Sequence, residues 1–293
     1  MKKIMIFFFY CLISEFAYTQ AFTGTSNLLV VNIPAPPVNA KKNDMDATLA
    51  DWGFTKLPKY HALIVGVSEY ENEGPGLPNL DMPAKDAEHL YTVLTEKYAF
   101  EPANVILLKN PTREEIINQF DHLAEIVAVK DNLLIFYAGH GFYDKEKDFG
   151  YWLPSDAKKN SRSAWIANST IKDYVGAIKA KHTLLITDAC FGGSIFKSRS
   201  VESDMRRFNE MYKDKSRKAI TSGNLTEVPD QSVFLKFVLK NLDENTEPYI
   251  SASTLFNKIY EPVMNNASST PKIGVIQGAG DEGGDFLFIK KIK

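Results

Sequence analysis

Cysteine is nearly absent from this chain of 293 residues, which carries only Cys11 and Cys190. Two thiols build neither a disulfide framework nor a cysteine-rich zinc site. An excess of one charge is missing as well: 34 Lys and Arg face 36 Asp and Glu, a net charge of −2. Such a balance gives no electrostatic case for nucleic acid or for a membrane surface, and neither is expected as a partner. Long apolar runs are also lacking. The stretch Ile4 to Ile13 spans ten residues, short of the ~20 that a membrane-crossing helix needs. There is no internal repeat and no low-complexity tract beyond a short proline-rich leader. What remains is an ordinary globular composition, 44% apolar and 24% charged, with enough chain for a sizeable core. Its chemistry is therefore expected in a small site, not on a broad charged face.

The N-terminus reads as an export signal over residues 1–20. Lys2 and Lys3 supply the positive start, Ile4 to Ile13 the apolar centre, and Ser14 to Ala21 a more polar end with small residues near Gln20. An exported protein, periplasmic or extracellular, is expected. Residues 21–59 hold Pro34-Ala35-Pro36-Pro37 and a polar run from Asn39 to Asp46, and read as a linker or pro-segment. The catalytic-sized domain is expected over residues 60–293. Signal removal leaves Cys190 as the sole thiol, without an intramolecular disulfide partner.

From Tyr60 onward, short apolar runs alternate with amphipathic stretches. Strands are expected at His61–Val67, Asn104–Lys109, Asn132–Ala138, His182–Asp188, Lys218–Ser222 and Asp285–Lys290. Several are apolar without alternation, as in a sheet covered on both faces. Helical spacing places Ala87, Leu90, Leu94 and Tyr98 on one face of Ala84–Tyr98. Thr112-Arg113-Glu114-Glu115 reads as a capping box. Ser169 and Thr170 read as caps of the next helix, and Gln231–Leu242 and Ala252–Met264 follow the same pattern. Strand–helix alternation of this kind implies an α/β domain with a mainly parallel sheet, expected here as six strands.

Two motifs directly follow buried-strand patterns: Tyr137-Ala138-Gly139-His140-Gly141-Phe142 and Thr187-Asp188-Ala189-Cys190-Phe191-Gly192-Gly193. Ligands of open α/β sheets bind beyond the carboxyl ends of the strands, where both motifs fall. A thiolate attacks a carbonyl carbon, the developing oxyanion needs fixed N–H donors, and the leaving amine needs a proton. Cys190 supplies the nucleophile and His140 the general acid/base. The N–H groups of Gly141 and Cys190 are the candidate oxyanion hole, and Gly192 and Gly193 leave room beyond the thiol. No third member of a triad is visible, so a dyad is expected. His61, His89, His122 and His182 sit in strand or helix patterns without partners and read as structural.

On these residues the chain resembles the caspase-like cysteine peptidases, clan CD, and within them the metacaspase type more than the animal caspases. The resemblance covers roughly Tyr60 to Lys290. It rests on the opening strand through Val67, Leu80 to Ala87, Tyr137 to Gly141, Asp188 to Gly193 and the closing Gly283-Gly284-Asp285-Phe286. The fifty residues from His140 to Cys190 are a known family spacing. Animal caspases carry Gln two before the thiol, where this chain has Asp188. The metacaspase pattern differs at Ala138 and Phe191. The resemblance implies a three-layer α/β/α sandwich. It further implies that Asp86 and Asp188 are acidic residues of the pocket for the side chain before the scissile bond. Two carboxylates there select a cation, so cleavage after Arg or Lys is expected. Ser222-Gly223-Asn224 falls where the family lines the substrate, open to strand addition.

The basic stretch Phe196 to Arg217 reads as a self-cleaved loop or, equally, an uncut surface helix over Glu202–Lys213. Calcium activates many metacaspase-type enzymes, and Asp144, Glu146, Asp148 and Asp156 offer oxygen ligands. They form no recognisable loop, so no cofactor or metal is expected as required. The expected partner is a polypeptide substrate. The sequence leaves open a silent peptide-binding module of the same fold, a thiol amidase or thioesterase, and the oligomeric state.

Overall fold

In a computed structural model, the chain is described over residues 56–189, 195–198, 208–223 and 231–291. The segment expected to be an export signal, most of the expected linker, Cys190, Phe191, Gly192, Gly193 and Asn224 lie outside the described residues. Everything described belongs to one compact unit, Val38–Lys293.

The sheet is built from apolar runs that emerge where expected: β1 (Tyr60–Gly66), β2 (Val105–Lys109), β3 (Asn132–Ala138), β7 (His182–Asp188) and β9 (Ser216–Thr221). All five are parallel. Strand β11 (Lys272–Ile276), antiparallel to β9, and the short β8 (Phe196–Ser198), antiparallel to β11, complete the order β2-β1-β3-β7-β9-β11-β8. The architecture is thus mainly parallel, six strands of five to seven residues with a three-residue strand at one edge.

Successive side chains of a strand point to opposite faces, and here both faces are covered. Ala62, Ile64, Leu134, Phe136, Leu184, Ile186 and Ile220 belong to one core. Over it lie α1 (Pro83–Lys97), α5 (Val233–Asp243) and α6 (Ala252–Asn266). The intervening Leu63, Val65, Leu133, Ile135, Leu185 and Ala219 belong to a second core under α2 (Arg113–Ile126) and α3 (Asn168–Ala177). Burial on both faces is why the central strands lack in–out alternation. Helix α2 starts at the expected capping box, with the Thr112 hydroxyl accepting from Glu115 N–H. Helix α5 starts at Ser232 in the same manner.

Several expectations are corrected. The apolar run at Asp285–Lys290 does not join the main sheet. Its Leu287–Ile289 forms β12, paired with β10 (Tyr249–Ser251) in a separate two-stranded sheet. Its continuous apolarity comes from burial against Tyr60, Tyr98 and Phe100. The strand that does join is β11, whose Lys272 and Gly274 dilute its apolar pattern. Ser169 and Thr170 do not cap α3: the preceding residue is Ala167, which makes no side-chain cap, and both lie inside the first turn. Strand β9 begins two residues earlier than its apolar run. Ser216 bonds His182 at 2.9 Å, and the Arg217 guanidinium donates to the carbonyls of Ala180, Lys181 and Ser216, so polar residues are held inside the strand. The stretch 196–217, read equally as a loop or as a helix over Glu202–Lys213, contributes β8 and α4 (Phe208–Lys213), in line with the helix over its described part; residues 199–207 lie outside the described residues.

A small antiparallel sheet follows β3 directly: β4 (Gly141–Asp144), β5 (Phe149–Trp152) and β6 (Ile166–Ala167), with β4 at its edge. Its inner face delivers Trp152, fully buried, onto Tyr137 with ring centroids 4.4 Å apart.

Candidate active site

The candidate residues are spread over 138 positions of sequence, from Asp86 to Gly223, and the sheet order gathers them. Strands β1, β3, β7 and β9 are consecutive neighbours and run in one direction. Asp86 follows β1, His140 follows β3, and Ser222 and Gly223 follow β9; Asp188 ends β7. All therefore lie at the carboxyl edge of four adjacent strands. Ala138 pairs in register with Asp188. His140 and Cys190 each come two residues after that pair. Cys190 itself lies outside the described residues, and the residue before it, Ala189, is buried.

The turn carrying His140 is fixed by two tyrosines. The His140 N–H donates to the Tyr70 hydroxyl at 2.8 Å, and the Tyr137 hydroxyl donates to the His140 carbonyl at 2.7 Å. The Tyr70 ring also lies 5.0 Å from the imidazole. Gly139 has φ +151°, and a Cβ there would stand 3.1 Å from the Tyr70 hydroxyl and 3.2 Å from that of Tyr137. A glycine is what lets both hydroxyls close on the turn. Gly141, by contrast, is an ordinary extended residue that opens β4.

His140 has an orienting partner that the sequence reading missed. Its Nε2 lies 2.8 Å from the Pro78 carbonyl. A carbonyl only accepts, so Nε2 carries the proton and, in the neutral ring, Nδ1 carries the lone pair. The partner is a backbone atom 62 residues away, and no side-chain motif signals it.

Gly141 faces a defined direction. Leu153 N–H donates to His140 O at 3.1 Å, and Gly141 pairs in register with Trp152. Hydrogen-bonded and non-hydrogen-bonded pairs alternate along an antiparallel ladder. His140–Leu153 is a bonded pair, so Gly141–Trp152 is a non-bonded one, and the Gly141 N–H points away from β5.

Asp188 is 2% exposed. Burial pushes its carboxyl above the ordinary value of 3.8, and the nearby Ser232 and Ser222 hydroxyls only temper this. Its Oδ1 and the Ser222 Oγ both lack a hydrogen-bond partner among the described residues. An acidic oxygen left unsatisfied at depth is costly unless a ligand completes it. Asp86 is half-buried in the first turn of α1. That helix is seated on β1 by Ser68, whose Oγ accepts from Ala84 N–H at 3.0 Å. Gly223 has φ +77°, and any Cβ there would collide with Thr270 O at 1.7 Å.

Two of the histidines expected as structural are far from this edge. His61 and His182 sit near the amino ends of β1 and β7. They do have partners, contrary to the sequence reading: His61 faces Asp131 at 3.1 Å, and His182 is held by Ser216 and the Tyr212 carbonyl. Among the described residues no group of three or more His, Cys, Asp or Glu could hold a metal. Asp144 pairs with Arg162, Asp148 accepts from the Tyr143 hydroxyl, and Asp156 accepts from Arg113 N–H.

Among solved structures, the fold is similar to protein GSU0716 from Geobacter sulfurreducens. The TM-score is 0.51 at 14% identity, covering 78% of this chain and 93% of that one. It is also similar to the Drosophila initiator caspase Dronc, with a TM-score of 0.51 at 12% identity, covering 76% of this chain and 81% of that one. At such identities the likeness concerns the fold alone. No curated protein matches the chain. The sequence does match the caspase domain, peptidase C14, over residues 59–272. That match runs from the start of β1 to the start of β11, through both strand ends that carry His140 and Cys190, and the chain belongs to the caspase-domain family of cysteine peptidases.

Proposed function

We propose that this chain is a cysteine endopeptidase that cleaves after Arg or Lys, with Cys190 and His140 as its catalytic pair. One observation carries the reading: β3 and β7 are adjacent and in register at Ala138 and Asp188. Strands so paired lie ~4.8 Å apart, which supports a thiol and an imidazole within joint reach of one bound amide.

The Cys190 thiolate adds to the carbonyl carbon, and the charge moves to the carbonyl oxygen. The outward N–H of Gly141 and the N–H of Cys190 receive that charge. The imidazolium of His140 gives its proton to the departing amine as the C–N bond breaks, leaving a thioester on Cys190. His140 then takes a proton from water, whose oxygen displaces the thiolate and releases the acid. The Pro78 carbonyl holds the ring by its Nε2–H, so the Nδ1 side faces this exchange. A cationic side chain entering beside Asp188, with Asp86 near the mouth, completes the buried carboxylate. Ser222 and Gly223 line the segment against which the residues before the scissile bond extend. The basic residues of the 196–217 stretch suit the same pocket, which supports self-processing there. The N-terminal pattern supports export.

An Arg-based acyloxymethyl ketone followed by peptide mass spectrometry tests the assignment. The label is expected on Cys190, with hydrolysis of fluorogenic Arg and Lys peptides abolished by Cys190→Ala. An Asp peptide cut in preference to these overturns the pocket assignment. A thiol inert to the ketone and to iodoacetamide at neutral pH overturns the peptidase reading. Gel analysis of wild type beside Cys190→Ala decides self-processing, since identical intact bands exclude it.

A further inference from the structure

We infer that β4, the strand that begins at the residue after His140, is a binding strand for the leaving-group half of the substrate. The inference rests on the peptidase reading above and assigns the side of the scissile bond which that reading leaves without contacts.

Strand β4 is an edge strand of its sheet. The register that turns the Gly141 N–H away from β5 does the same two residues on, because Tyr143–Gly150 is again a non-bonded pair. Gly141 and Tyr143 therefore present both N–H and C=O along an edge that pairs with no other strand among the described residues, starting beside the catalytic turn. An exposed edge of this kind accepts an extended peptide.

The direction of pairing follows from the chemistry. The Gly141 N–H is the donor proposed for the carbonyl before the scissile bond. In a parallel ladder a residue's N–H reaches the carbonyl before its partner, and its C=O accepts from the N–H after it. With the first leaving-group residue (P1′) opposite Gly141, its N–H reaches the scissile carbonyl, as catalysis requires. The Gly141 carbonyl then accepts from the N–H of the second residue (P2′), and the Tyr143 N–H donates to the P2′ carbonyl. The P3′ N–H points away. Catalytic donor and binding strand are thus one continuous edge.

Opposite P2′ stands Phe142, 38% exposed. It lies 5.0 Å from Trp165 and 6.4 Å from Tyr151. The Arg162 guanidinium covers all three rings at 5.1 to 5.7 Å while its charge is met by Asp144 at 3.0 Å. What the face offers is a braced aromatic surface, suited to an apolar P2′ side chain.

Internally quenched peptides with Arg before the scissile bond and four residues after it test this on the whole protein. N-methylation at P2′ is expected to lower kcat/KM about tenfold, the loss of one hydrogen bond; N-methylation at P3′ is expected to change it little. Leu at P2′ is expected to outrun Gly, and Phe142→Ala to erase that ratio. Equal effects of the two N-methyl groups, or a Leu/Gly ratio untouched by Phe142→Ala, overturn the inference. Cleavage of Arg peptides without any discrimination at P2′ overturns this strand alone, whereas no cleavage of any Arg peptide overturns the peptidase reading and this inference with it.

Discussion

Ala138 and Asp188 are register partners on neighbouring parallel strands, and the residues two steps beyond them are His140 and Cys190. Ala138 and Asp188, fifty residues apart in sequence, become neighbours at one sheet edge. The intervening helix α3 and the β4–β6 sheet are the crossover that makes parallel pairing possible.

Tyr70 holds His140 in place by accepting its backbone N–H and packing on its ring. Removing that hydroxyl leaves a half-buried N–H unsatisfied and loosens the imidazole. Tyr70→Phe is expected to lower kcat roughly 10- to 100-fold with KM little changed. The split between kcat and KM, read beside a thermal melt, separates misplacement from unfolding.

Asp188 is the residue whose charge the proposed pocket needs and the fold resists. Its carboxyl is raised above 3.8 by burial. The native state therefore holds the proton to higher pH, and stability falls as pH rises through that window. Asp188→Asn removes the buried charge. At pH 7 its Tm is expected to equal or exceed that of the wild type, while kcat/KM on Arg peptides drops roughly 100-fold. In wild type, the acid limb of Arg-peptide cleavage is expected above the ordinary carboxylate range; a pH–rate profile reads it.

His182 is buried at the opposite edge and its pKa is pushed down to about 3, first by burial and then by Lys181. The neutral ring accepts from Ser216 and donates to Tyr212 O. Stability from this arrangement is complete above the unfolded value of 6.5 and is lost as pH falls from there toward 3. The loss is expected at about 1.4 kcal/mol per pH unit. Urea titrations from pH 7 to 4 measure it, and His182→Gln is expected to flatten the slope.

Gly223 admits no side chain, because the Thr270 carbonyl occupies the Cβ position. Gly223→Ala is expected to destabilise by about 1–3 kcal/mol through displaced backbone and strain at positive φ. A lowered urea midpoint reports that loss. A rise in KM for Arg peptides reports the shifted Ser222–Gly223 segment.

Local signals read well where local physics dominates. The apolar runs of β1, β3 and β7 declare strands buried on both faces, and Thr112 with Glu115 declares a helix start because the cap is built from neighbours in sequence. They fail where a distant partner decides. The Pro78 carbonyl leaves no side-chain trace. Ser216 and Arg217 read as polar breaks because their partners, His182 and the carbonyls of Ala180 and Lys181, lie 34 to 37 residues away. Lys272–Ile276 is not among the strands the sequence signals, since its antiparallel neighbours supply what its own apolar content does not.

By itself the sequence determined the element types and the two glycine-flanked motifs, because buried strands and tight turns restrict residue type position by position. Only the tertiary structure decided which strands are neighbours, which backbone carbonyl orients His140, and which way the Gly141 N–H points. Those depend on pairing and register, and register is a relation between segments that neither segment carries alone.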